Sequence, residues 1–206
     1  MTRIVVSKSG RVSDKELIQI ADVMRECYER LEPHEVAIVD LQVFESASQT
    51  EAFLSAEYGR VGVVSRRFDE KFFALHHAWR GTPSITLCLE RMRELPPTVR
   101  IAGIRHEVGH SILHGELKHY FLTIPYAYVK AVKRYALTND YGVNLTYLTS
   151  IAVKDYEVTR LLYERGYVQD QVEYVEHLLA TTEDDITEWR IARSNPLTRV
   201  LHLVAS

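Results

Sequence analysis

The chain has 206 residues, of which 46% are apolar and 26% charged, and a formal net charge of −3. That length and balance describe a soluble globular protein able to bury a full core. The small negative charge, with no basic run, gives no electrostatic case for nucleic acid or an anionic membrane surface as partner.

Cys27 and Cys88 sit in apolar surroundings without C-x-x-C spacing, the pattern of buried reduced thiols in an intracellular protein. The apolar stretch near the N-terminus is too short for a signal-peptide core, and no later run approaches membrane-spanning length. A cytoplasmic location is expected.

In chain order, "RIVVS" (3–7) reads as a strand. Ser13 with Glu16 three residues on forms a capping-box pattern, and Leu17, Ile20, Val23, Met24 and Leu31 trace an amphipathic helix that Pro33 closes. "HEVAIVDLQVFE" (34–45) reads as a strand and "TEAFLSAEYG" as a short helix capped by Gly59. "VGVVS" (61–65), "FFALHHAW" (72–79) and "PSITLCLE" (83–90) read as further strands. Pro97 suits the first turn of a helix, and the pattern from there can run helical to about Phe121. Four more helical patterns follow after Pro125, with turn signals at Asn139-Asp140, Gly142, Gly166 and Asn195-Pro196. The expectation is an α+β protein: a small mixed β-sheet in the N-terminal half and a helical C-terminal half. We read residues 1–206 as one domain, with 1–96 its mixed portion and 97–206 its helical portion.

The chemistry is concentrated in "IRHEVGHSILHGELKH" (104–119), where His106, Glu107 and His110 form H-E-x-x-H. Residues i and i+4 share a helix face, so both imidazoles can converge on one ion. Glu107 lies about 100° further round, within reach of a metal-bound water without ligating the metal. Zn²⁺ is the expected cofactor, with Glu107 as general base. The helix is apolar nearly all round, so these polar groups need partners.

A catalytic zinc needs a third protein ligand. His114 shares the face, but on a straight helix it stands about 12 Å along the axis from His106. It could ligate only if the helix broke just after His110; packing, or a hydrogen bond beside the site, are its other roles. His119, if still helical, lies about 140° round from His106, near the helix end. Downstream, Asp155 sits in the middle of an apolar stripe formed by Leu148, Ile151, Ala152, Val158, Thr159 and Leu162, all within about 60° of it on the wheel. Asp155 is therefore the preferred third ligand, with a buried ion pair as its other explanation. Glu157 falls on the face of Ser150, Lys154, Arg160 and Glu164, which reads as solvated.

His106, Glu107 and His110, followed on a later helix by "KDYEVTRLL", resemble the gluzincin class of zinc metallopeptidases in its minimal single-domain form. The similarity extends to bacterial and archaeal proteins with "HExxHxxLH" and a later acidic-x-x-Ala-Asp/Asn helix. It covers roughly residues 83 to 165, and "SILH" (111–114) and the register of Asp155, Val158 and Thr159 fit it. The resemblance implies a zincin-like active-site helix, zinc held by His106, His110 and an acidic residue, and hydrolysis of a peptide or protein substrate. It also implies an edge strand that binds extended substrate, for which "SITLCLE" is in place. Two departures stand out: the usual ligand is Glu, so the helix of Asp155 must come closer, and Val158 and Thr159 replace Ala and Asp/Asn. A register shifted by two would make Glu157 the ligand.

His76 and His77 are adjacent in a strand, point to opposite faces, and cannot chelate one ion together. One of them can line the cleft. A tyrosine or histidine that stabilises an oxyanion is expected, and Tyr120, Tyr126 and Tyr128 follow the helix, but the sequence does not choose among them. The alternative to a zinc metallopeptidase is a zincin-fold regulatory or binding protein with little turnover. Retention of Glu107 argues against a purely structural site.

Overall fold

The computed structural model describes residues 1–61 and 72–205. The contacts divide the chain into two compact units: residues 1–120 with 158–178, and residues 121–157 with 179–206.

The first unit holds the sheet. Strands β1 (Arg3–Ser9), β2 (Ile38–Phe44), β3 (Ala74–His77) and β4 (Ser84–Cys88) lie in the order β1-β2-β4-β3. β1, β2 and β4 are parallel, and β3 runs antiparallel to β4 at the edge. Parallel neighbours need long crossovers. Helices α1 (Asp14–Arg30) and α2 (Ala47–Val61) lie in those connections. All five residues of β4 are buried, as expected of a strand covered on both faces. A short helix α3 (Leu89–Glu94) follows β4, then α4 (Pro97–Leu113) and a single 3₁₀ turn, Leu117–Tyr120.

The capping box at Ser13 and Glu16 forms as the spacing predicts, and Glu16 also accepts from Arg93 Nε at 2.8 Å. On β2, Val39, Leu41 and Val43 alternate into a core shared with Ile20, Met24 and Cys27 of α1 and with Val99, Ala102, Ile104 and Val108 of α4. Both cysteines are buried free thiols, and burial pushes Cys27 up to about 12.

The second unit is helical. It contains α5 (Tyr126–Tyr135), most of α6 (Asn139–Glu164), α8 (Glu183–Ala192) and α9 (Pro196–Ala205). α8 and α9 pack on each other, and Tyr141 Oη donates to the Leu197 carbonyl at 3.2 Å. The end of α6, from Val158, and nearly all of α7 (Gln169–Leu179) belong to the sheet-bearing unit. Among the described residues no helix is long and apolar enough to cross a membrane.

The expected class, a mixed N-terminal sheet followed by helices, is what the structure shows. Four local expectations are corrected. Gly59 lies inside α2 rather than capping it, and Gly142 lies inside α6, with the Tyr128 ring packed where a side chain would stand. The helix that begins at Pro97 ends at Leu113, not near Phe121: His114 caps it by donating its N–H to the His110 carbonyl at 2.7 Å. Gly115 then folds back so tightly that a Cβ would lie 2.1 Å from the Ser111 carbonyl oxygen. Finally, Ser84–Cys88 is an interior strand, and the edge beside it is β3. The strand expected at 61–65 lies outside the described residues apart from Val61, which ends α2.

His77 on β3 is buried and stacks on Trp79 with ring centroids 4.3 Å apart. Neither of its ring nitrogens has a hydrogen-bond partner among the described residues. Burial, and then the Arg80 charge, lower its pKa from 6.5 to about 4. The folded chain thus keeps His77 neutral while the unfolded chain protonates it. Its contribution is complete above pH 6.5 and is lost as the pH falls towards 4, a change of about 3 kcal/mol. Denaturant midpoints should therefore drop more steeply between about pH 7 and pH 4.5 for the wild type than for His77→Phe. Equal drops would show that His77 carries no such linkage.

Candidate metal centre

The centre is built on α4. Pro96 and Pro97 start the helix, Pro97 at the position where its missing N–H costs nothing. Val99, Ala102, Ile104 and Val108 anchor it in the core, and His106 and Glu107 are each only 6% exposed. Its rotation is fixed next to the first histidine. Arg105 donates to Asp170 at 2.6 Å and to Glu26 at 3.0 Å, and its guanidinium stands 4.3 Å from the centroid of the Tyr167 ring. Tyr167 Oη in turn donates to Glu26 at 2.9 Å. This network ties α4 to α1 and to the start of α7.

His106 Nε2 and His110 Nε2 face each other at 3.2 Å. Two nitrogens each about 2.0–2.1 Å from one tetrahedral zinc would stand about 3.3–3.4 Å apart, so the pair has the spacing of two ligands on one ion. Asp155 joins them: one ligand atom from each of His106, His110 and Asp155 lies within 4.8 Å of the others. This group could hold a metal ion, and two imidazole nitrogens with a carboxylate oxygen are a donor set that suits zinc. Glu157 and His114 lie outside the group.

The end of α6 lies close to α4 at Val158. A Cβ at Gly109 would stand 2.7 Å from Val158 Cγ1, closer than packed carbons tolerate. Val158 and Leu162 are fully buried, and Asp155 stands one helical turn before Val158. The missing side chain at 109 thus gives Val158 the room to pack against α4. Of the stripe read from the wheel, Leu148, Val158 and Leu162 are buried, whereas Ile151 and Ala152 are exposed.

His114 is 3% exposed and reaches the other side of the His110 ring, Nδ1 to Nδ1 at 3.2 Å. The His119 ring meets His114 edge-on at 5.4 Å, from the 3₁₀ turn rather than from an extended α4.

Three neighbours wall the centre. The His76 ring lies parallel to His110 at 6.0 Å, and the Tyr174 ring is 5.4 Å from His106. Tyr120 Oη shares a 3.3 Å hydrogen bond with His76 Nδ1. Burial raises the Tyr120 pKa; a hydrogen bond with the Ala78 backbone opposes this, and the Glu107 charge adds to it. The hydroxyl therefore stays protonated and within the field of Glu107. Strand alternation separated His76 from His77 but did not show that His76 was the one facing α4. Tyr120 was one of three tyrosines with equal claims in the sequence. Gly109 carried no signal, since its partner is more than a helix away in the chain.

Compared with protein-family models, with curated proteins and with solved structures, the chain gives no match.

Gly109→Ala should force α6 away from α4, costing about 1–3 kcal/mol as overpacking does. Val158→Ala should relieve part of that cost, so the double variant should be more stable than the summed single effects by about 1 kcal/mol or more. Strict additivity in urea melts would rule out the close contact as the cause.

Proposed function

We propose that the chain is a zinc-dependent hydrolase, and more specifically a metallopeptidase of the gluzincin kind. The observation that carries this is the convergence of His106, His110 and Asp155, with a buried glutamate, Glu107, next to His106 in the chain.

Zinc held by this group would supply the positive charge that brings the pKa of a water towards neutrality and polarises a carbonyl. The remaining work falls to the chain's own side chains. Glu107 is placed one residue round the helix from His106, where its carboxylate can take a proton from the attacking water and pass it to the departing amine. The Tyr120 hydroxyl, protonated and joined to His76, is the donor for the oxygen on which charge develops. His76 stands on β3, which among the described residues is the edge of the sheet beside α4. An extended peptide would lie along β3 rather than along β4.

The metal reading predicts one zinc per chain for the wild type by elemental analysis. His110→Ala and Asp155→Ala should lose it, and Glu157→Ala should keep it; zinc retained in Asp155→Ala would remove Asp155 as a ligand. The catalytic reading predicts that Glu107→Gln keeps the metal and loses about 100-fold or more in peptide cleavage. Tyr120→Phe should lower kcat about 100-fold with KM little changed. A Glu107→Gln variant with wild-type turnover would exclude Glu107 as the base and with it this mechanism.

A further inference from the structure

The two nitrogens of His110 have different neighbours, and this limits where its proton can be. Nε2 faces His106 Nε2 at 3.2 Å, and Nδ1 faces His114 Nδ1 at 3.2 Å. An imidazole that ligates through Nε2 needs its lone pair there, so its single N–H must be on Nδ1. Two nitrogens 3.2 Å apart form a hydrogen bond only if one donates and the other accepts. His114 Nδ1 must then be the acceptor, and the His114 proton must be on Nε2. The opposite arrangement, with His114 donating through Nδ1, would leave His110 carrying its proton on Nε2, where no metal could bind.

We propose that His114 is a positioning residue for the metal centre. By accepting from His110 Nδ1–H it holds His110 in the one neutral form that can ligate, and it fixes the orientation of the ring. The inference rests on the metal reading above but not on peptidase activity.

The fold fits this role. Because α4 ends at Leu113, His114 has left helical geometry, with φ −127° and ψ 18°. Four residues on from His110, its ring still lies against the His110 ring, as i and i+4 neighbours do. Its backbone N–H is tied to the His110 carbonyl at 2.7 Å, and its side chain is buried, so the acceptor has little freedom to leave. The same geometry explains why His114 stands outside the ligand group: it contacts His110 across the ring from the ligating nitrogen. Ligating histidines usually direct their second N–H to a carboxylate, a carbonyl or water. Here the acceptor is another imidazole.

The test is zinc affinity, measured by competition with a chelator, for the wild type, His114→Phe and His114→Asn. Phenylalanine keeps ring volume and removes the acceptor; asparagine can present its Oδ1 near the position of Nδ1. His114→Phe should bind zinc about 10–100-fold more weakly, as loss of such a partner typically does. His114→Asn should recover most of that loss. In the zinc-loaded wild type, ¹⁵N shifts should show His110 protonated on Nδ1 and His114 protonated on Nε2. Unchanged affinity in His114→Phe overturns the proposal, as does a His114 proton found on Nδ1 in the zinc form. A folded His114→Asn as weak as His114→Phe overturns it too. A wild-type chain that takes up no zinc overturns it together with the metal centre. Zinc uptake without peptide cleavage would remove the peptidase reading and leave this one standing.

Discussion

Polar groups buried in an apolar helix must find partners, and most of the structure around α4 answers that requirement. An unpaired imidazole or carboxylate in the interior costs several kcal/mol, an appreciable share of a domain's whole stability. His106 and Glu107 are buried, and His110 is half-buried between them and the helix end. The turn after α4 brings a second imidazole within hydrogen-bond distance of His110, Asp155 offers a carboxylate, and β3 and α7 pack rings against the two histidines. Arg105 sits just outside this cluster and donates to Asp170 and Glu26 through its two terminal nitrogens, which ties the helix to its neighbours beside His106.

How much of this could be read from the chain follows from how local each feature is. The pairing of His106 with His110 needs only the helical repeat, and the repeat is written in the residues themselves. Asp155 was legible for a different reason: a carboxylate among Leu148, Val158 and Leu162 is out of place unless something draws it inward. The wheel gave the direction it faces, not how far the cover extends, and Ile151 and Ala152 proved exposed. The order of the strands was not legible, because it depends on which crossover lands where. Ser84–Cys88 therefore looked suited to an edge although it lies inside the sheet. The end of α4 was hidden for a similar reason. Nothing in the apolar spacing stops at Leu113; the stop comes from the His114 cap and the tight return at Gly115.

β3 shows how a short strand can divide two tasks. Its four residues include adjacent histidines whose side chains leave on opposite faces. His76 meets His110 and shares a hydrogen bond with Tyr120. His77 is enclosed against Trp79, where a proton would be a liability. The same residue type acts as a polar group at one position and as an aromatic filler at the next, and only the layer each faces separates them.

The contact between Gly109 and Val158 also constrains both positions. With no Cβ at 109, Val158 packs directly against α4, one helical turn after Asp155. A side chain added at 109 would therefore act on two helices at once, on the one that carries it and on the one packed across from it.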